Sequence, residues 1–271
     1  MLLAPWPRLQ RQVASLVQEQ VESRNLDLEV LLRQLSRGCM PAALPFRRRK
    51  RWPRRLHVVL DRSRRLTPFW HDQDEALRQL QRRLGPSYVN EFHIFDGMEA
   101  PLPTGSARRK NVSLASGASV LVLGDCGCLA GYAPLMQQWQ RFGCNLQASG
   151  DRPKVLLPAQ PGRWQSQYLP HWQMAPWEAS RVALPGHRPA WLAECALLLL
   201  TLAARAVRVE PGLLRTLRRL LPIARTDAGA AADVWTHPYV SSGSSVALTI
   251  SIEVLEDLRA RFQQLEPALR E

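Results

Sequence analysis

Two short apolar runs each end on an aspartate: LHVVLD, residues 56–61, and SVLVLGD, residues 119–125. Runs of this length are too short for a typical buried helix. Their β-branched content suits strands covered on both faces, as in a parallel sheet. VNEFHIFDG (89–97) and KVLLPAQP (154–161) supply two more strands. Between the first two, residues 70–84 read as a helix with Leu77, Leu80 and Leu84 on one side and Gly85 as its stop. A second helix runs through Leu135, Met136 and Trp139 and is expected to stop near Gly143, with NLQAS (145–149) as an added edge element. Strands alternating with crossover helices predict an α/β fold: an open, mostly parallel, Rossmann-like sheet with helices on both faces.

The flanks read as helical. Leu9, Val13, Leu16, Val17 and Val21 recur at spacings of three and four, so residues 8–37 are read as helix. Asn25 or Asp27 starts a second segment carrying Leu28, Leu31, Leu32 and Leu35, and Gly38 ends it. Towards the end of the chain, helices are expected over 189–206, from Pro211 onwards, over 228–235 and over 252–265. The chain therefore divides into an N-terminal helical segment (1–45), an α/β domain (46–180) and a C-terminal helical subdomain (181–271).

In open α/β sheets, ligands sit beyond the carboxyl ends of the strands. Asp61 and Asp125 fall there, and adjacent strands would bring both carboxylates to one point. Such oxygen ligands suit a hard cation such as Mg2+. Ser63 can add a hydroxyl, and Thr104, in the loop before the third strand, another. The plainer alternative is that Asp61 and Ser63 cap the next helix through its free N–H groups.

VVLDRSRRL, FHIFDG and VLVLGDCG together resemble a von Willebrand factor A-type domain. That family carries Asp-x-Ser-x-Ser after its first strand, a later Thr and a further Asp, which form a metal-ion-dependent adhesion site. The resemblance implies Mg2+ on Asp61, Ser63, Asp125 and Thr104. Here the motif reads Asp61-Arg62-Ser63-Arg64-Arg65, with arginine in place of the last serine. The guanidinium of Arg65 can take the place of the cation. Gly124 stands where the family often has Ser or Thr.

The order of RRWPRRLHVVLDRSRRLTPFW, LVLGDCG, LLPAQPGRW and ADVWTHP also resembles the N-terminal region of bacterial multidomain proteins. In those, a von Willebrand A-like module precedes a formylglycine-generating-enzyme-type module. Relatives are encoded near MoxR-type AAA+ ATPases or in conflict and diversity-generating systems. This implies a non-enzymatic scaffold whose partner is another protein, such as a MoxR-type ATPase or a formylglycine-generating-enzyme-type module.

The charge balance raises a different reading. With 36 basic residues against 23 acidic, the net charge is +13, which favours an anionic partner. Arg47, Arg48, Arg49, Lys50, Arg51, Arg54 and Arg55 crowd one stretch beside Phe46 and Trp52, and Arg108, Arg109 and Lys110 lie in the long loop. Arginines grip phosphates and aromatics stack on bases, so these residues are candidates for nucleic acid or another polyanion. The same stretch also reads as a solvated linker into the first buried strand.

Other features carry less. Five cysteines at irregular spacing, with no signal peptide expected from MLLAPWPRLQRQ, point to a reducing cytoplasm. Cys126 and Cys128 read as small residues in a tight turn. The apolar run in ECALLLLTLAARAV (194–207) is too short to span a bilayer, so no membrane role is expected. SSGSS (241–245) reads as a flexible linker, and His93, His171 and His237 have no evident catalytic partner. Trp164, Trp172 and Trp177 are expected to pack helices onto the sheet.

Overall fold

The computed structural model describes residues 2–105, 108, 113–114, 118–130, 133–159, 169–178, 189–206, 208–221, 227–265 and 267. Of the side chains within these, those of residues 189–192 are left aside. Along the chain run α1 (Trp6–Val17), β1 (Glu19–Leu26), α2 (Leu28–Leu35), β2 (Phe46–Arg51) and β3 (Leu56–Asp61). Then come α3 (Trp70–Leu84), β4 (Val89–Ile94), β5 (Leu102–Pro103), β6 (Ser119–Leu123), α4 (Ala133–Ala148), β7 (Arg152–Leu157) and β8 (Gln173–Pro176). The last elements are α5 (Pro189–Ala203), α6 (Pro211–Leu220), α7 (Ala230–Trp235), β9 (Val240–Gly243), β10 (Leu248–Ile250) and α8 (Ile252–Gln263).

The expected sheet forms, with six strands in the order β5-β4-β3-β6-β7-β8. Every pairing is parallel except that of the edge strand β5 on β4. β3 and β6 are neighbours, in register from Leu56 opposite Ser119 to Leu60 opposite Leu123. Alternation along β3 divides the core: Val58 and Leu60 pack with residues of α1 and α3, while Val59 packs with Trp139 and Leu146 of α4. Helices thus cover both faces.

The flanks join this core. α1 contributes Leu9, Val13, Leu16 and Val17 to one face of the sheet. α7 has two apolar sides. Ala231 and Ala232 pack with the sheet layer, and Ala230, Val234 and Trp235 pack with α5, α6 and α8. A buried ion pair fastens the same region. Asp72 of α3 accepts from Leu3 N–H (2.6 Å) and pairs with Arg215 of α6, which also donates to Pro68 O (2.7 Å).

Several expectations are corrected. The helix read over 8–37 stops at Val17, and residues 19–26 form a strand. Val21 continues the helical spacing by coincidence; Glu19 to Glu22 instead pair with Arg51 to Arg48 across an antiparallel ribbon. Residues 46–51 of the basic segment are therefore a strand, and only residues 52–55 link it to β3. α2 begins as expected, with Asp27 accepting from Val30 N–H (3.2 Å). α4 runs through Gly143 to Ala148, so NLQAS is its last turn rather than an edge element. Glycine there has a packing cause: a Cβ at Gly143 would stand 2.3 Å from Nε1 of Trp172, which lies directly on the helix. SSGSS is not a linker: Ser241, Ser242 and Gly243 belong to β9, and Ser244 and Ser245 begin the turn to β10. Trp172 and Trp177 are buried in the two layers flanking the sheet, whereas Trp164 lies outside the described residues. Among the described residues, no helix is long and apolar enough to cross a membrane.

Candidate functional site

Because β3 and β6 are parallel neighbours, Asp61 and the residue two beyond Leu123 emerge side by side at the carboxyl edge. Asp61, Ser63 and Asp125 are all buried there. Gln73 of α3 ties the strand ends together, donating from Nε2 to Asp61 O (3.0 Å) and Leu123 O (2.8 Å). The next residue, Gly124, touches Asp61 so closely that a Cβ would sit 2.6 Å from the aspartate Cβ. A serine or threonine at that position has no room in this arrangement.

Asp125 opens a tight turn. Cys126 takes a left-handed backbone (φ 49°), Gly127 follows at φ 81°, and Cys128 N–H donates to Asp125 O (2.9 Å). A non-glycine residue in that region is uncommon and costs energy. The turn aims two amides at the carboxylate: Gly127 N–H reaches Oδ1 and Leu129 N–H reaches Oδ2, each at 3.0 Å. Cys126 is fully buried, and burial pushes its thiol pKa up.

Arg65 occupies the centre. Its Nη2 and Nε grip Asp125 Oδ1 (2.7 Å) and Oδ2 (2.9 Å) as a two-pronged fork. Nη2 also reaches Asp61 Oδ2 (3.3 Å), and Nη1 reaches Asp96 Oδ1 (3.2 Å) in the loop after β4. The other oxygen of Asp61 accepts from both the amide and the hydroxyl of Ser63. Ser63 thus bonds Asp61 and makes no side-chain cap on the 3-10 turn that it opens.

These contacts separate the two acids. Burial drives Asp61 up to about 7, with the Asp125 charge adding to it and Arg65 and Ser63 only partly opposing. Burial opposes the Asp125 charge too, but the Arg65 fork and the two amides outweigh it and hold the group below its ordinary range. Asp125 is thus the settled anion, and Asp61 titrates near neutrality.

The arrangement does not fit Mg2+. A guanidinium stands between the two carboxylates, and the remaining carboxylate oxygen contacts go to N–H and hydroxyl donors. Thr104 is not part of the cluster. It lies beside β5, its amide donating to Glu91 O (2.9 Å), while the register places Glu91 three residues before Ile94, the partner of Asp61. Among the described residues, no group of three or more His, Cys, Asp or Glu side chains is placed to hold a metal.

The remaining candidates fall elsewhere. Arg47, Arg48, Arg49, Lys50 and Arg51 are exposed along β2. Arg54 and Arg55 are exposed just before β3, and Arg108 is exposed after β5. Arg109 and Lys110 lie outside the described residues. Sequence reasoning missed Asp96 and Gln73. Asp96 had a signal, since FHIFDG ends at the same sheet edge as Asp61; Gln73, inside a helix, had none.

No family model matches the chain, and comparison with curated proteins and with solved structures finds no match.

Proposed function

We propose that this chain is a non-enzymatic interaction module, a von Willebrand A-like domain in which arginine has replaced the metal. It serves as a scaffold in a bacterial multicomponent system. The observation that carries the reading is the Arg65 fork on Asp125, with its further contacts to Asp61 and Asp96. It commits the carboxylates that would otherwise serve as metal ligands or as a general base. The strand order supports it as well. Counted along the chain, the strands of the main sheet lie in the order 3-2-1-4-5-6 of doubly wound folds, with the single antiparallel strand at the edge.

The partner is a protein that engages the carboxyl edge around Asp96 without a bridging cation. Co-expression of the chain with a MoxR-type AAA+ ATPase, or with a formylglycine-generating-enzyme-type protein, tests this. A complex that co-purifies, persists in EDTA and weakens with Asp96→Ala is expected. No complex with either protein, or one that EDTA dissolves, overturns the reading.

A second reading, a basic accessory subunit for nucleic acid, is favoured by the exposed row Arg47–Arg51. It requires binding to a single-stranded oligonucleotide that falls steeply with salt, as counterion release demands.

A further inference from the structure

Residues 18 to 51 hold β1, α2 and β2, yet no residue among them is fully buried. Among the described residues, β1 and β2 pair only with each other. A lone two-stranded ribbon is marginal in water, and a short helix owes most of its stability to packing an apolar face. On α2 that face is bare: Leu28, Leu32 and Leu35 are 55%, 64% and 44% exposed. Their spacing of four and then three puts them on one side of the helix. Met40, Leu44 and Phe46, on the return into β2, are exposed as well. This end is held together by Asp27 N–H donating to Pro45 O (2.7 Å) and by Leu26 opposite Phe46.

The charge beside the patch indicates what covers it. The ribbon carries a groove of about 520 Å³ lined by Ser23, Arg24, Asn25, Arg47, Arg48 and Arg49, with four arginines and no carboxylate. Of the acids nearby, Glu19 meets Arg152 (3.5 Å), Glu29 meets Arg33 (3.1 Å) and Asp27 caps α2, while Glu22 stands opposite Arg48 across the ribbon and leaves the arginines in excess. A second copy seated strand to strand on β2 would set arginine against arginine, which is unfavourable. Nucleic acid would satisfy the arginines but leave the leucines in water. A protein segment both acidic and apolar satisfies both.

We propose that the arm formed by residues 19–51 docks an acidic amphipathic protein segment, apolar side chains on Leu28, Leu32 and Leu35 and carboxylates on Arg24, Arg47, Arg48 and Arg49. This rests on the interaction-module reading but uses a surface separate from the carboxyl edge.

Fluorescence anisotropy with the full chain tests it, using three labelled probes. One is a glutamate-rich helical peptide of about 20 residues with leucines at helical spacing. The others are the same peptide with serine for leucine, and an oligothymidylate of equal charge. The leucine peptide should bind at least about tenfold tighter than either. The triple variant Leu28→Ser, Leu32→Ser, Leu35→Ser should erase that advantage, while Arg47→Glu with Arg49→Glu weakens both peptides. These variants should leave the unfolding temperature of the core unchanged, because the substituted side chains are exposed. Arm amides should gain protection from hydrogen exchange when the leucine peptide is added.

Equal affinity for the two peptides, tighter binding of the oligonucleotide, or no binding overturns the proposal. So does self-association that protects the arm without any probe. If the peptide fails while the carboxyl-edge complex forms, only the arm proposal falls. If the peptide binds as expected while that complex is absent, the arm stands and the carboxyl-edge reading falls.

Discussion

Arg65 and Arg49 are the same residue in opposite settings. Arg65 is 10% exposed, its guanidinium shared among three aspartates at a sheet edge whose backbone is fixed on both sides. Arg49 stands on an exposed strand opposite Val21, in a ribbon with no fully buried residue. The first is tied into the protein's own core; the second is exposed surface. A high arginine content therefore reports neither function nor fold until each residue's partners are known.

The sharpest way to break this contrast is Arg65→Ala. It leaves two buried carboxylates facing each other, so stability should fall by about 3–5 kcal/mol, as when one partner of a buried pair is removed. Urea unfolding at neutral pH measures it, and the loss should shrink in acid as the carboxylates take up protons. A change no larger than a surface substitution would mean that the edge is not the closed cluster described.

Asp61 gives a smaller and more specific effect. Its folded pKa, about 7, lies above that of an ordinary aspartate. The folded state therefore binds the proton more tightly than the unfolded chain, and this contribution is full in acid. It is lost as pH rises from the ordinary aspartate range through about 7. Asp61→Asn should remove that decline, so the variant's unfolding temperature, relative to the parent, should rise between pH 5 and 8. A parallel pair of pH profiles would show that Asp61 carries no such proton.

The ribbon should give the smallest response. Replacing Arg47, Arg49 or Arg51 singly by serine should change stability by no more than about 0.5 kcal/mol each, the usual range for exposed positions. A larger loss would reveal packing that the exposed strand does not display.

What was legible in the sequence follows burial. β3, β6 and β7 show as short apolar runs because a strand covered on both faces is largely apolar, and β4 shows by partial alternation. Their shared direction puts Asp61 and Asp125 on one edge. The departure at Arg65 was legible too, as a cation where a ligand was expected. The ribbon was not: a strand with no core has no apolar alternation to show, and Val21 extended the helix spacing of α1. Long-range partners such as Asp96, Gln73 and Arg215 were equally silent, because nothing local marks a polar residue that is satisfied far along the chain.

The clasp of Leu3, Asp72 and Arg215 has a consequence for synthesis. Arg215 follows Asp72 by 143 residues, after all six strands of the main sheet have been made. At about 5–20 residues per second, that interval is roughly 7–30 s. Through it the nascent sheet must keep the Asp72 carboxylate wet or protonated. On the ribosome, then, the layer holding α1 and α3 cannot close until α6 is made, and a chain stopped before α6 would expose the charge that the finished protein seals.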